Sequence, residues 1–169
     1  MIDKITRKSS RPIVVFVVVV WVRVVDGRIS HLTLYKDLNY CTDMKSYTSE
    51  DGITIKVGEN AKDNDELTLS SYPKEWWMHA SGYPGSHVVI CYEGDTVPKE
   101  TKRDAAVLAL HHSKVPNTKM SLVDMIRVEQ IHKYPCSNHG QVQLVGDYMT
   151  FTIFMDKEKP RLKRLMKKI

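Results

Sequence analysis

Apolar and polar residues alternate through the middle of the chain in short blocks punctuated by Gly, Pro and Asn, the pattern of brief strands interrupted by two helices. Asp51-Gly52 reads as a hairpin turn, and Ile53, Ile55 and Val57 then alternate with Thr54 and Lys56, predicting a half-buried strand that ends at Gly58. A short helix follows, with Asp63 or Asn64 as N-cap and Pro73 as its stop. Residues 76–80 and 87–92 form two strands joined by Ser81-Gly82-Tyr83-Pro84-Gly85-Ser86. If they pair antiparallel about Tyr83, His79 lies opposite His87 and Trp77 opposite Val89, all on one face.

Thr96-Val97-Pro98 opens the main helix, whose Ala105, Leu108, Ala109 and His112 recur at helical spacing. Three further strands are expected over 122–128, 141–145 and 148–154, the last two joined by a Gly146-Asp147 turn. The order β-β-α-β-β-α-β-β-β predicts an α+β fold: a mixed, mostly antiparallel sheet with two helices on one face. Leu162, Leu165, Met166 and Ile169 add a stripe to a basic C-terminal helix, apolar side docked on the domain and cations outward.

The ends differ from this body. Residues 13–22 are ten consecutive apolar residues, too few for the ~20 of a membrane-spanning helix. Lys4, Arg7, Lys8 and Arg11 precede them as in a secretory signal, but no A-x-A-like cleavage site follows, and the valines favour strand. The segment is read as a targeting or membrane anchor, a buried strand, or an appendage foreign to the domain. The expected organisation is an N-terminal extension over 1–44, a domain over 45–156 and a basic tail over 157–169.

Length supports one domain, since 169 residues is close to the ~150 of a single core. The 42% apolar and 27% charged fractions exclude a wholly disordered chain, a collagen-like fibre and a multi-span membrane protein. Cys41, Cys91 and Cys136 are odd in number and lack C-x-x-C spacing, which argues against a disulfide scaffold or a zinc ribbon and fits a reducing compartment. The net charge of +5 is uneven: residues 157–169 carry +6 and residues 1–11 carry +3, leaving the body at −4. Cations at the ends suit a polyanion such as RNA or an anionic membrane.

The candidate chemistry centres on Trp77, His79 and His87, a surface suited to stacking unpaired bases, with the Gly85 and Ser86 amides offered to phosphate. The plain alternative is that Trp77 is core and both histidines bond turn carbonyls. A His79/His87 metal site lacks a third ligand, because Cys91 falls against Glu75 in the same register. A small hydrolase at this pair lacks a lysine or carboxylate cluster to stabilise a phosphorane. Asn60, Asp63, Asn64 and Asp65 lack calcium-loop spacing and read as caps and turns. His111, His112 and Lys114 read as compensation of a helix dipole. No cofactor is implied.

Gly52-x5-Gly58-x-Asn60-x3-Asn64-Asp65-x-Leu67, then Trp77-Met78-His79-Ala80, Pro84-Gly85-Ser86-His87, Ala105-Ala106 and Ser113-Lys114, together resemble the NFACT-R domain over residues 46–155. The resemblance implies a non-enzymatic RNA-binding module, contacting tRNA or large-subunit ribosomal RNA in ribosome-associated quality control, in the cytoplasm. It adds Asn60, Asn64, Ser113 and Lys114 to the candidate contacts, beside Arg161, Lys163, Arg164, Lys167 and Lys168 for phosphate. This chain departs from the family pattern with Glu59 for Arg, Glu75 for Asp, and fewer cations over 130–140. RNA affinity is therefore expected to be weaker or to depend on the tail. The DNA-glycosylase-like, helix-hairpin-helix and coiled-coil parts of larger NFACT proteins are not accommodated in 169 residues, so a stand-alone NFACT-R protein is expected. The competing class is a membrane-surface or partner-binding module that uses the basic ends and residues 1–25, with organellar or membrane-anchored placement.

Overall fold

The computed structural model describes residues 19–25, 28–35, 44–116 and 120–167, and the chain divides into two compact units, Met1–Cys41 and Thr42–Ile169. In the first unit, β1 (Val19–Val25) pairs antiparallel with β2 (Arg28–Tyr35), with an irregularity between Arg23 and Val24. Part of the valine-rich run is therefore strand, as β-branched side chains favour; residues 13–18 lie outside the described residues. No described helix is long and apolar enough to cross a membrane.

The second unit is built on a six-stranded antiparallel sheet. Its strands are β3 (Lys45–Thr48), β4 (Thr54–Val57), β5 (Trp76–Ala80), β6 (Val88–Ile90), β7 (Ser121–Arg127) and β10 (Met149–Ile153), in the order β10-β7-β5-β6-β4-β3. A separate short pair joins β8 (Ile131–His132) to β9 (Gln143–Leu144). The helices are α1 (Ala61–Ser70), α2 (Lys99–His111) and α3 (Lys159–Leu165).

The α+β class and the antiparallel sheet are as expected, but the two main helices lie on opposite faces. Ala105, Leu108 and Ala109 of α2 pack on Met78, Val88, Ile90 and Met125, whereas Leu67 of α1 packs on Trp77, Val89 and Ile126, which alternate with them. Topology dictates this. The β4-α1-β5 and β6-α2-β7 crossovers move the same way across the sheet between strands of opposite direction. Keeping both crossovers right-handed then requires a helix on each side.

Three local differences follow from hydrogen bonding. α1 begins earlier than expected, because Asn60 caps it: Asn60 Oδ1 accepts from Lys62 N (2.9 Å) and Asp63 N (3.0 Å), and its amide donates to Asp63. Strand β10 does not form a hairpin with β9. It pairs with β7 over five residues and brings Ile153 and Phe151 into the core, while β9 pairs with β8. Gly146, at φ +99°, therefore links two sheets, with Val145 N bonded to Gln130 O at 2.8 Å.

Helix α3 lays Leu162, Leu165 and Met166 of the predicted stripe against the main core; Ile169 lies outside the described residues. Its arginines do not face outward, however. Arg161 bonds Asp104 (2.6 Å), Glu158 (2.8 Å) and Glu100 (2.5 Å), and Arg164 bonds both oxygens of Asp104 at 2.6 and 2.7 Å. Asp104 is 0% exposed on α2, and an isolated carboxylate there would carry a large desolvation cost, so it draws both guanidinium groups inward.

Candidate RNA interface around the histidine face

The expected register is present: Trp77 is opposite Val89 and Met78 opposite Val88, so residues paired about Tyr83 meet as alternation required. Trp77, His79 and His87 do share a face. The Trp77 and His79 rings stack at 5.6 Å and 18°, and His87 meets Trp77 edge-on at 4.9 Å. The face is covered, however. Trp77 is 2% exposed and His87 1% exposed, beneath α1 on one side and the β8–β9 hairpin on the other.

Hydrogen bonds explain why these polar rings are tolerated inside. Trp77 Nε1 donates to Thr68 Oγ1 at 3.2 Å, and the same hydroxyl lies 2.8 Å from His87 Nδ1. The His87 backbone N–H donates to Asn64 Oδ1 (2.9 Å), while Asn64 Nδ2 donates to Gly85 O (3.0 Å). Burial, with His79 beside it, pushes the His87 pKa down to about 4, so the ring is neutral at physiological pH. Burial also lowers His79, partly offset by a hydrogen bond from its ring to the Gly85 backbone and by the Asp124 carboxylate.

The remaining motif residues tie the same joint. A side chain at Gly58 would meet Asn64 Oδ1 at 2.3 Å, and one at Gly85 would meet Ser113 Oγ at 1.8 Å, so both close approaches require glycine. Ser86 is buried and donates to His112 O at 3.2 Å; Lys114 N donates to Pro84 O at 2.9 Å. Asn64, Gly85, Ser86, His87 and Ser113 thus stitch α1, the β5–β6 loop and the end of α2 together, while Asn60 caps α1 alone. Of these candidates, Asn60 and Lys114 are exposed, His79, Gly85 and Ser113 are half-buried, and Asn64, Ser86 and His87 are buried.

Residues 132–144, outside the candidate contacts, close the cavity over those motif residues. Asp65 on α1 anchors the roof: Lys133 Nζ at 2.9 Å, His139 Nδ1 at 2.9 Å and Gly140 N at 3.0 Å. Burial would raise the Asp65 pKa, but Lys133, His139 and the Gly140 amide override it and hold the carboxyl below the usual range. Beneath that roof lies a cavity of ≈ 510 Å³, lined by His79, Asp124, His132, Tyr134, Gln141 and Gln143 above the Trp77–His87 floor. Thr150 Oγ1 donates to Asp124 at 2.8 Å. The signal for the roof was Asn138-His139-Gly140 after Lys133, but its partner Asp65 is 74 residues away from His139.

The His79 and His87 ring centres are 5.6 Å apart, and His87 is 1% exposed. Among the described residues no three His, Cys, Asp or Glu side chains gather as metal ligands. On the tail, Arg161 and Arg164 are committed to carboxylates, Lys163 and Lys167 are exposed, and Lys168 lies outside the described residues.

The geometry is that of an antiparallel α+β module with a roofed, ring-floored cleft. Residues 44–149 match the family model for the NFACT protein RNA-binding domain, and the chain belongs to that family. It is 46% identical over 102 residues to the Rqc2 homolog RqcH of Streptococcus suis, covering 59% of this chain and 18% of that protein. Against the Rqc2 homolog RqcH of Streptococcus pneumoniae it is 38% identical over 119 residues, 69% of this chain and 21% of the relative. The C-terminal part of the fibronectin/fibrinogen-binding protein of Streptococcus suis superposes with a TM-score of 0.66 at 33% identity, covering 73% of this chain and 49% of that one. The chain spans about a fifth of the length of the RqcH proteins it matches.

Proposed function

We propose that this domain binds an unpaired stretch of tRNA or of large-subunit ribosomal RNA, in the cytoplasm, as part of ribosome-associated quality control. The observation that carries the reading is the ≈ 510 Å³ cleft, lined by aromatic and imidazole rings, glutamine amides and the apolar Val142 and Leu144, with one carboxylate. A cleft of that size falls within the range of about 300–1,000 Å³ that holds a discrete ligand group. Splayed bases are recognised by stacking and by hydrogen bonds along their edges, which His79, Tyr134, Gln141 and Gln143 can supply. Asp124 accepts from exocyclic amino groups and repels phosphate, so a base enters while the backbone stays outside. Membership of an RNA-binding family and likeness to RqcH support the ligand class and the setting. In this reading the domain is a binding module and not an enzyme.

The test is anisotropy binding of tRNA and of single-stranded and double-stranded oligonucleotides. His79→Ala and Tyr134→Ala are expected to weaken single-strand binding about tenfold, one stacked base being worth roughly 1–3 kcal/mol. Duplex RNA bound as tightly as single strands, with both variants unaffected, overturns the cleft reading. Crosslinking in cells with sequencing of the attached RNA separates tRNA from ribosomal RNA.

A further inference from the structure

On the opposite side of the sheet from the histidine cleft, a second groove of ≈ 280 Å³ runs between α2, β10 and the turn before α3. Lys99, Lys102, Arg103 and Lys157 line it with Phe151 and Phe154. One carboxylate, Glu158, is present, but it is buried and held by Arg103 and Arg161. Among the described residues no carboxylate pairs with Lys99, Lys102 or Lys157.

Two features set this apart from an ordinary solvated charge cluster. Lys99 and Lys102 occupy the first turn of α2, where a cation opposes the helix dipole and so adds nothing to the helix. Aromatic rings are interleaved with the cations: Lys102 Nζ lies 5.1 Å from the Phe151 ring centre and Lys157 Nζ 5.1 Å from that of Phe154, which is 42% exposed. An exposed ring flanked by ammonium groups fits a ligand with alternating flat apolar and anionic parts, as a single nucleic-acid strand has. The volume sits just under the lower end, about 300 Å³, of sites that enclose a whole small molecule, which suits part of a passing polymer.

We propose that this groove is a second RNA contact, taking backbone phosphates on Lys99, Lys102 and Lys157 and one base against Phe154. It rests on the reading that the domain binds RNA, and adds a site on the other face. A strand held at both faces would be read by base edges in the cleft and by charge in the groove.

The experiment measures anisotropy binding of an oligouridylate strand to the full chain over a range of salt concentrations. Lys102→Gln with Lys157→Gln is expected to reduce the slope of log K against log salt by about 1.4, at roughly 0.7 per phosphate contact on a single strand. Phe154→Ala is expected to weaken binding about tenfold and Phe154→Trp to retain it, with thermal melting unchanged for both. If these variants bind like the parent chain while Tyr134→Ala weakens binding, the groove is not a site and the cleft stands. If oligouridylate does not bind at all, both readings fall. Polyglutamate competing as well as RNA of equal charge, with Phe154→Ala without effect, assigns the groove to acidic peptides and overturns the RNA contact.

Discussion

His87 and Asp104 are both buried polar side chains at joints between elements, yet they are satisfied in opposite ways. Around His87 every partner is neutral: the Thr68 hydroxyl, the Asn64 amide and backbone groups. Around Asp104 two guanidinium groups and the Glu50 amide converge on a full negative charge. A neutral joint loses less than an ionic one when a partner is removed but is sensitive to protons. An ionic joint is indifferent to pH near neutrality and fails when one ion is removed, because its partners remain desolvated.

The contrast can be broken most forcefully at Asp104. Asp104→Ala is expected to cost about 3–5 kcal/mol, since Arg161, 13% exposed, would lose its main counter-ion. Urea denaturation reads this directly, and a loss below 1 kcal/mol shows that the ion pairs are replaceable by water. The next largest effect is expected from acid. Below pH 6.5 the unfolded His87 takes up a proton that the folded ring, held at about 4, refuses. Stability is therefore fully present above about 6.5 and declines as pH falls toward 4, by up to about 3 kcal/mol from this residue. His79 and His112, also lowered chiefly by burial, add in the same direction. Urea midpoints against pH should fall steeply for the parent chain and less steeply for His87→Gln.

Gly85→Ala sharpens the comparison from the packing side. The new methyl group would overlap Ser113, costing about 1–3 kcal/mol, and adding Ser113→Gly should recover part of the loss. Melting temperatures of the single and double variants check the coupling. The smallest effect belongs to the outward tail: Lys163→Ala and Lys167→Ala should change stability by less than about 0.5 kcal/mol. Any loss of RNA affinity in these variants then reports contact and not unfolding.

Some of this was legible from residues alone. The Gly82 to Gly85 reversal and the alternation on either side were enough to place Trp77 against Val89, because strand pairing about a short turn admits few registers. The apolar stripe Leu162, Leu165 and Met166 likewise announced that α3 docks. Exposure was not legible. Trp77 and His87 have the side chains of an RNA-stacking surface, and whether they remain open depends on Asp65 gripping Gly140 and Lys133 across the sequence. Arg161 and Lys157 are both basic and four residues apart, yet one turns to Asp104 and the other to the Phe154 ring. The resemblance motif fared differently: most of its residues prove to be the joint beneath the cleft, with His79 alone of the aromatic trio keeping appreciable solvent-facing surface.

The amino-acid sequence by itself determined most of the strands, the two main helices, the register of β5 on β6 and the family, because these depend on periodicity, turn chemistry and side chains close along the chain. Only the tertiary structure decided which face each helix covers, which rings are roofed over and which cations remain at the surface. Those outcomes depend on crossover handedness and on partners far apart in sequence, where burial makes a polar group choose the nearest counterpart in space.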